Sequence, residues 1–406
     1  MTTPDRRLAP RPLPAHLAAA ATLWASSRAG LTSWKAGSRP SNSGLESRLH
    51  QLIEEIERAG KSEVRAALDG ELTRRAGAFL GGVETYRAHH YRRPPSRKPV
   101  LWREGTTRLI DYGRGRGGLP VLAIPSLVNR YYVLDLLREC SFLRHLAGAG
   151  LRPLVIDWDA PGPEERAFSM SDYIAGRLDR ALDAAVAAAG RPVALVGYCM
   201  GGLLALALAL RRPAETACLA LLATPWDFHA DRPEQATRLA AMIEAMLLGP
   251  HDVPLAVDPI QMLFWSLDPL LAERKFVRFA GLDPGSRAAR VFVALEDWLN
   301  DGVPLARNVA RECARDWYGA NLPALGEWRV GGAPVLPQNF DKPALIVLPS
   351  RDRIVPPRSA EPLGAALPNA TVLRPPLGHI GMMVGADAPQ AVWQPIAAWL
   401  RTQLRA

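Results

Sequence analysis

Cys199 stands in Gly197-Tyr198-Cys199-Met200-Gly201-Gly202, directly after the apolar run Val193-Ala194-Leu195-Val196 and directly before Leu203-Leu204-Ala205-Leu206-Ala207-Leu208. A reactive side chain flanked by glycines, between a strand-like run and a helix-like run, fits a tight turn that holds the nucleophile clear of the backbone. A thiol nucleophile needs a base, and the base needs an orienting acceptor. Two later segments offer them. Asp352 lies in Pro349-Ser350-Arg351-Asp352-Arg353-Ile354-Val355-Pro356, just beyond the apolar run Leu345 to Leu348. His379 lies in Pro376-Leu377-Gly378-His379-Ile380-Gly381, just beyond Ala370-Thr371-Val372-Leu373. One histidine or one loop aspartate is weak evidence, but thiol, carboxylate and imidazole in this order, each at a strand end, define an acyl-transfer constellation. His16, His50, His89, His90, His145, His229 and His251 lack that setting.

The turn also predicts the state of the thiol. A helix beginning after Cys199 places partial positive charge beside it, which together with His379 favours thiolate over thiol. Attack on a carbonyl needs two N–H donors for the oxyanion. Met200 is expected to give one, and Leu127, in Pro125-Ser126-Leu127-Val128-Asn129, the other. Attack of Cys199 on a thioester yields another thioester, so the acyl group stays activated and can pass to an incoming hydroxyl. The residues leave open transfer to a hydroxyl, hydrolysis by the same three groups, and a non-catalytic partner protein on a retained scaffold.

These side chains need elements to carry them. From Pro99 onward short apolar runs alternate with helical stretches: Leu119 to Pro125 as a strand, Leu134 to Gly148 as a helix, Pro153 to Asp157 as a strand, Ser171 to Ala189 as a helix, then Val193 to Val196 and Cys218 to Ala223 as strands. Such alternation predicts a mostly parallel sheet covered on both faces. With the nucleophile turn and the chain order Cys, Asp, His, it resembles the α/β-hydrolase fold. Residues 100–223 form the first part of that core and residues 342–406 the second. Between them, residues 224–341 are helical and rich in large apolar side chains, which suits a cap over the site and predicts a poorly exposed Cys199. Residues 1–99 read as a helical arm, with Leu45, Leu49, Leu52, Ile53 and Ile56 at helical spacing behind a linker at Ser38 to Gly44.

Composition narrows the remaining choices. The 406 residues are 48% hydrophobic and 22% charged, enough for one large core with an insertion. The net charge of +9 comes almost wholly from Arg, and its densest block, Arg87 to Lys98, reads as a solvated linker or as a site for substrate phosphates or an acidic partner, without a nucleic-acid fingerprint. Cys140, Cys199, Cys218 and Cys313 form no C-x-x-C pair, so a reduced, cytoplasmic protein without a metal site is expected. Arg6 and Arg7 precede an alanine-rich run, yet Pro12 and Pro14 intervene, which favours a helix over an export signal. Charges or prolines interrupt every apolar stretch long enough to span a membrane.

At this point the residues resemble a family, the polyhydroxyalkanoate synthases, and most closely the short class III catalytic subunits. Val121 to Leu136 is similar to the family's strand and oxyanion loop, and Val155-Ile156-Asp157-Trp158 to its next strand end. Asp352-Arg353-Ile354-Val355-Pro356 and Gly378-His379-Ile380-Gly381 match its acid and base segments, and Glu296 to Leu305 resembles its cap. Ser126 stands where Pro is usual and Arg353 where His is frequent. The resemblance implies that Cys199 carries the acyl group, that His379 is the base for the thiol and the incoming hydroxyl, and that Asp352 is its electrostatic partner. It also implies 3-hydroxyacyl-coenzyme A as substrate with no other cofactor, a homodimer, often a second subunit, and a place in the cytoplasm or on storage granules.

Overall fold

The computed structural model describes residues 7, 10–33, 43–113, 117–250 and 253–405. They divide into two compact units: Met1–Tyr91 with Asp268–Asn300, and Arg92–Leu267 with Asp301–Ala406.

The larger unit is built on an eight-stranded sheet. Its strands are β1 (Val100–Glu104), β2 (Thr107–Asp111), β3 (Leu119–Ile124), β4 (Leu151–Asp157), β5 (Val193–Tyr198), β6 (Thr216–Leu222), β7 (Ala344–Val347) and β8 (Ala370–Leu373). The order across the sheet is β1-β2-β4-β3-β5-β6-β7-β8. β2 runs antiparallel to β1 and β4, and every other pairing is parallel. β4, β5 and β7 are buried along their whole length, as near-continuous apolar runs covered on both faces must be. Parallel register brings the carboxyl ends level: Tyr198 lies opposite Leu222, Leu222 opposite Val347, and Val347 opposite Leu373. Loops leaving β5, β7 and β8 therefore emerge along one edge, where open α/β sheets bind ligands.

Two stretches differ from the expected helices. Leu134 to Gly148 is a helix only over Phe142–Gly148; before it, Asp135–Leu137 and Cys140–Ser141 form a short antiparallel ladder. Asp135 is drawn inward by the Tyr112 hydroxyl and the Arg144 guanidinium, and the Ser141 hydroxyl caps the helix by accepting the Arg144 N–H. Ser171 to Ala189 opens with a π-helical turn, Asp172–Leu178, before the α-helix Asp179–Ala189. That turn carries Arg177, which is fully buried and paired with Glu104, Glu164 and Glu165. A buried guanidinium is tolerated only with such partners.

The smaller unit gathers the N-terminal helices Leu13–Ser33, Ser43–Ala59 and Lys61–Ala88 with Leu271–Ala280 and Arg287–Asn300. Residues 268–300 thus group with the N-terminal helices and not with the rest of the 224–341 insertion. The reason is an aromatic core: Phe276 makes edge contacts with Phe79, Tyr86 and Phe292, while Phe279 stacks on Phe292 at 4.2 Å. Such pairs contribute about 0.5–1.5 kcal/mol each beyond simple burial. On the Ser43–Ala59 helix, Leu52 is exposed and Ile53 and Ile56 are half-buried, while the side chains of Leu45 and Leu49 and most of the Ser38–Gly44 linker lie outside the described residues. Arg6 lies outside them too. No described helix is long and apolar enough to cross a membrane.

Candidate active site

β5 ends at Tyr198, and the chain reverses at Cys199 with φ 55° and ψ −128° before the helix Met200–Arg211 begins. For a residue with a Cβ this conformation costs about 1–3 kcal/mol and persists only where its surroundings impose it. Here they do. A Cβ at Gly197 would sit 2.4 Å from the Gly202 Cα, and one at Gly201 would sit 2.1 Å from the Ile124 carbonyl oxygen. The two glycines let the helix start lie against both its own strand and the end of β3. The Cys199 N–H donates to the Leu222 carbonyl at 2.8 Å, and its carbonyl accepts the Gly202 N–H at 2.9 Å.

Cys199 is half-buried and packs against the main core, whereas Cys140, Cys218 and Cys313 are buried. Burial pushes the Cys218 thiol up to about 12 and raises that of Cys313 as well. Those two thiols are thereby poor candidates for nucleophiles.

Asp352 and His379 reach the same place through an extension of the sheet. Beyond the last paired residues of β7 and β8, Leu348 N–H donates to Leu373, Ser350 to Pro375 and Arg351 to Leu377, so the two loops leave the sheet zipped together. Asp352 follows at once on one strand and His379 two residues later on the other. Both are buried, and the Asp352 Oδ2 lies 2.6 Å from the His379 Nδ1. The other carboxylate oxygen accepts the N–H groups of Ile354 and Val355 at 2.8 and 2.9 Å. A carboxylate held this way makes Nδ1 the donor and leaves Nε2 for the thiol. Burial lowers the His379 pKa, but the Cys199 charge and hydrogen bonds to Asp352 and Cys199 outweigh it and raise the value to about 10. Asp352 and His379, picked out separately from the sequence, are thus brought into contact, and the Cys199 charge acts on the imidazole.

The loop expected to supply the second oxyanion donor is placed by its neighbours. Trp158, at the end of β4, donates its indole N–H to the Pro125 carbonyl at 3.1 Å. The Ser126 hydroxyl accepts the Val128 N–H and lies 3.7 Å from the Met200 sulfur. Among the described residues, no acceptor takes the N–H of Leu127 or of Met200. An oxyanion site requires two free donors, and these are the two expected from the sequence. The far end of the loop is bridged to the insertion: Asn129 pairs with Gly302, the Arg130 guanidinium bonds Asp159 and Asp301, and the Tyr132 hydroxyl donates to Asp301.

Sequence reasoning missed the supports. Trp158 belongs to a quoted motif, and a large indole after an acidic strand end was the available signal. Tyr198 was missed as well, although a phenol ending an otherwise apolar strand marks a buried hydroxyl in need of a partner; its hydroxyl donates to the His379 carbonyl at 3.1 Å. His16, His89 and His229 each bond a backbone carbonyl, and His251 lies outside the described residues. Among the described residues no cluster of His, Cys, Asp and Glu is arranged to hold a metal ion.

Strand order, elbow and loop placement agree with the family model of the α/β hydrolase fold, which matches residues 120–386, and the chain is an α/β-hydrolase-fold protein. The poly(3-hydroxyalkanoate) polymerase subunit PhaC of Allochromatium vinosum is 30% identical over 322 residues, covering 75% of this chain and 88% of that protein. The subunit of the same name from Synechocystis sp. is 30% identical over 297 residues, 70% of this chain and 77% of its own. That from Thiocystis violacea is 29% identical over 293 residues, with 69% and 80% covered. The chain belongs to the family of poly(3-hydroxyalkanoate) polymerase subunits.

Proposed function

We propose that the chain is a polyhydroxyalkanoate synthase-like acyltransferase acting on 3-hydroxyacyl-coenzyme A. The Cys199 sulfur attacks the thioester carbonyl, the N–H groups of Met200 and Leu127 receive the oxyanion, and the bond to the coenzyme A sulfur breaks as the new thioester forms. His379 gives its proton to the departing thiolate. It then takes a proton from an incoming hydroxyl, which attacks the acyl-enzyme and frees Cys199. Asp352 keeps the imidazole in the tautomer this needs and stabilises its charged form. The observation that carries the reading is the 2.6 Å contact of His379 with Asp352, with the Cys199 charge acting on the same imidazole. Family membership supports polyester as the product.

A second reading, hydrolysis of the same acyl-enzyme, draws on the partial exposure of Cys199, because an exposed thioester is open to water. Incubation with 3-hydroxybutyryl-coenzyme A, following thiol release and product, separates the two: polymer supports transfer and free acid supports hydrolysis. Coenzyme A release by a Cys199→Ala variant at the wild-type rate overturns both. A homodimer, a second subunit and a granule surface in the cytoplasm complete the proposal, and sedimentation of the purified chain with and without substrate tests the first of them.

A further inference from the structure

Tyr198 and Cys199 are neighbours at the end of β5, yet they reach in different directions. Cys199 presents the thiol. Tyr198 is 5% exposed, its ring lies 5.1 Å from the His379 ring at an interplanar angle of 31°, and its hydroxyl donates to the His379 backbone carbonyl.

That carbonyl has little else to bond. In the turn that follows, Met382 N–H donates to Gly378, while Met383 and Val384 both donate to Ile380, so the main-chain bonds pass over His379. A phenylalanine would fill the same volume, and a buried phenol is costly unless its hydroxyl is bonded.

We propose, building on the reading of Cys199 and His379 as nucleophile and base, that Tyr198 is a positioning residue that fixes the main chain of the base relative to the thiol. Asp352 and Tyr198 hold His379 at different points. The carboxylate sets the rotation of the ring through Nδ1, and the phenol sets where the Cα stands. Because Tyr198 is covalently joined to Cys199, a drift of the histidine turn away from the elbow must stretch a hydrogen bond anchored one residue from the nucleophile. Burial raises the phenol's pKa well above its ordinary value, and the charges of Cys199 and Asp352 add to the rise, so the hydroxyl remains a donor at every pH at which the site works.

Tyr198→Phe removes one oxygen and nothing else. The expected result is a fall of about 10-fold in kcat for coenzyme A release with KM within about two-fold, the pattern of lost alignment and not of lost binding. Alkylation of Cys199 by iodoacetamide, followed against pH, is expected to slow and to move its acid limb to higher pH. Wild-type kcat and an unmoved alkylation profile overturn the proposal. So does a loss of kcat accompanied by a lowered melting temperature with the alkylation profile unmoved, which is the mark of a structural role. Cys199→Ala keeps the two levels separate: if it is labelled and turns over like the wild type, the nucleophile assignment fails, whereas an inert Cys199→Ala beside a fully active Tyr198→Phe sinks the positioning inference alone.

Discussion

Asp352→Asn changes the charge and donor pattern at one point of the site, and the structure dictates how the new side chain must sit. One carboxylate oxygen accepts two backbone N–H groups, from Ile354 and Val355, so the amide oxygen of the variant must occupy that position. The amide nitrogen then faces the His379 Nδ1, where the second carboxylate oxygen stood 2.6 Å away. Two donors cannot share that contact, so the imidazole proton moves to Nε2 and the face toward Cys199 can no longer accept one. In serine-dependent triads this exchange costs about 10⁴-fold in turnover. A thiol depends less on its base, because a fraction ionises without help and the thiolate is a strong nucleophile. Acylation is therefore expected to fall by about 10²-fold, or ~2.7 kcal/mol. Transfer requires a hydroxyl to lose its proton to Nε2 and is expected to fall by about 10⁴-fold, or ~5.5 kcal/mol. Rapid mixing with 3-hydroxybutyryl-coenzyme A separates the two phases, a burst of thiol for acylation and a steady rate for transfer. The variant should show a slowed burst followed by almost no turnover. A variant within threefold of the wild type in both phases refutes the tautomer argument, and equal losses in both refute the claim that the base matters more for the hydroxyl.

Three further outcomes follow from the same geometry. Gly201→Ala puts a methyl 2.1 Å from the Ile124 carbonyl, so the helix start must move off β3; a loss of about 1–3 kcal/mol in urea unfolding is expected, together with loss of coenzyme A release. Trp158→Phe deletes the indole bond to the Pro125 carbonyl and frees the oxyanion loop, lowering kcat several-fold with the burst amplitude retained, as stopped-flow measurement would show. His379 is raised from an ordinary 6.5 to about 10 in the folded protein, so its contribution to stability is fully present below pH 6.5 and disappears as pH climbs to 10. Burial opposes that rise and Cys199 is its largest favourable cause, so urea midpoints of Cys199→Ala should vary less with pH across this window than those of the wild type.

How much of this was legible depends on how local each constraint is. The elbow could be read because a strained residue between a strand and a helix demands small neighbours at fixed offsets, and Gly197 and Gly201 meet that demand within a few residues. Six strands of the core could be read because they are short, mostly apolar runs, whereas Val100–Glu104 and Thr107–Asp111 mix charged with apolar residues and gave no such signal. Leu134 to Gly148 misled because its apolar residues suit a helix, while the ladder there is set by buried Asp135 and partners that include Tyr112. The 224–341 insertion looked uniform because aromatic content does not reveal which surface a helix meets. Phe276 and Phe279 find theirs among residues nearly two hundred positions earlier and on the neighbouring helix Arg287–Asn300.

The same distinction applies inside the site. Asp352 and His379 were visible as types in the right loops, but what makes them act together is the run of main-chain bonds from Leu348 to Leu373, Ser350 to Pro375 and Arg351 to Leu377. Backbone bonds place no demand on side-chain identity, so a sequence does not mark them. The bond from Tyr198 to the His379 carbonyl does require a particular side chain, yet it joins residues on different strands and its meaning appears only when both ends are seen. A reacting group therefore tends to be readable from its type and loop, while the groups that hold it still are readable only from contacts. A variant series aimed at Cys199, Asp352 and His379 alone would test the chemistry and leave untested the alignment on which its rate depends.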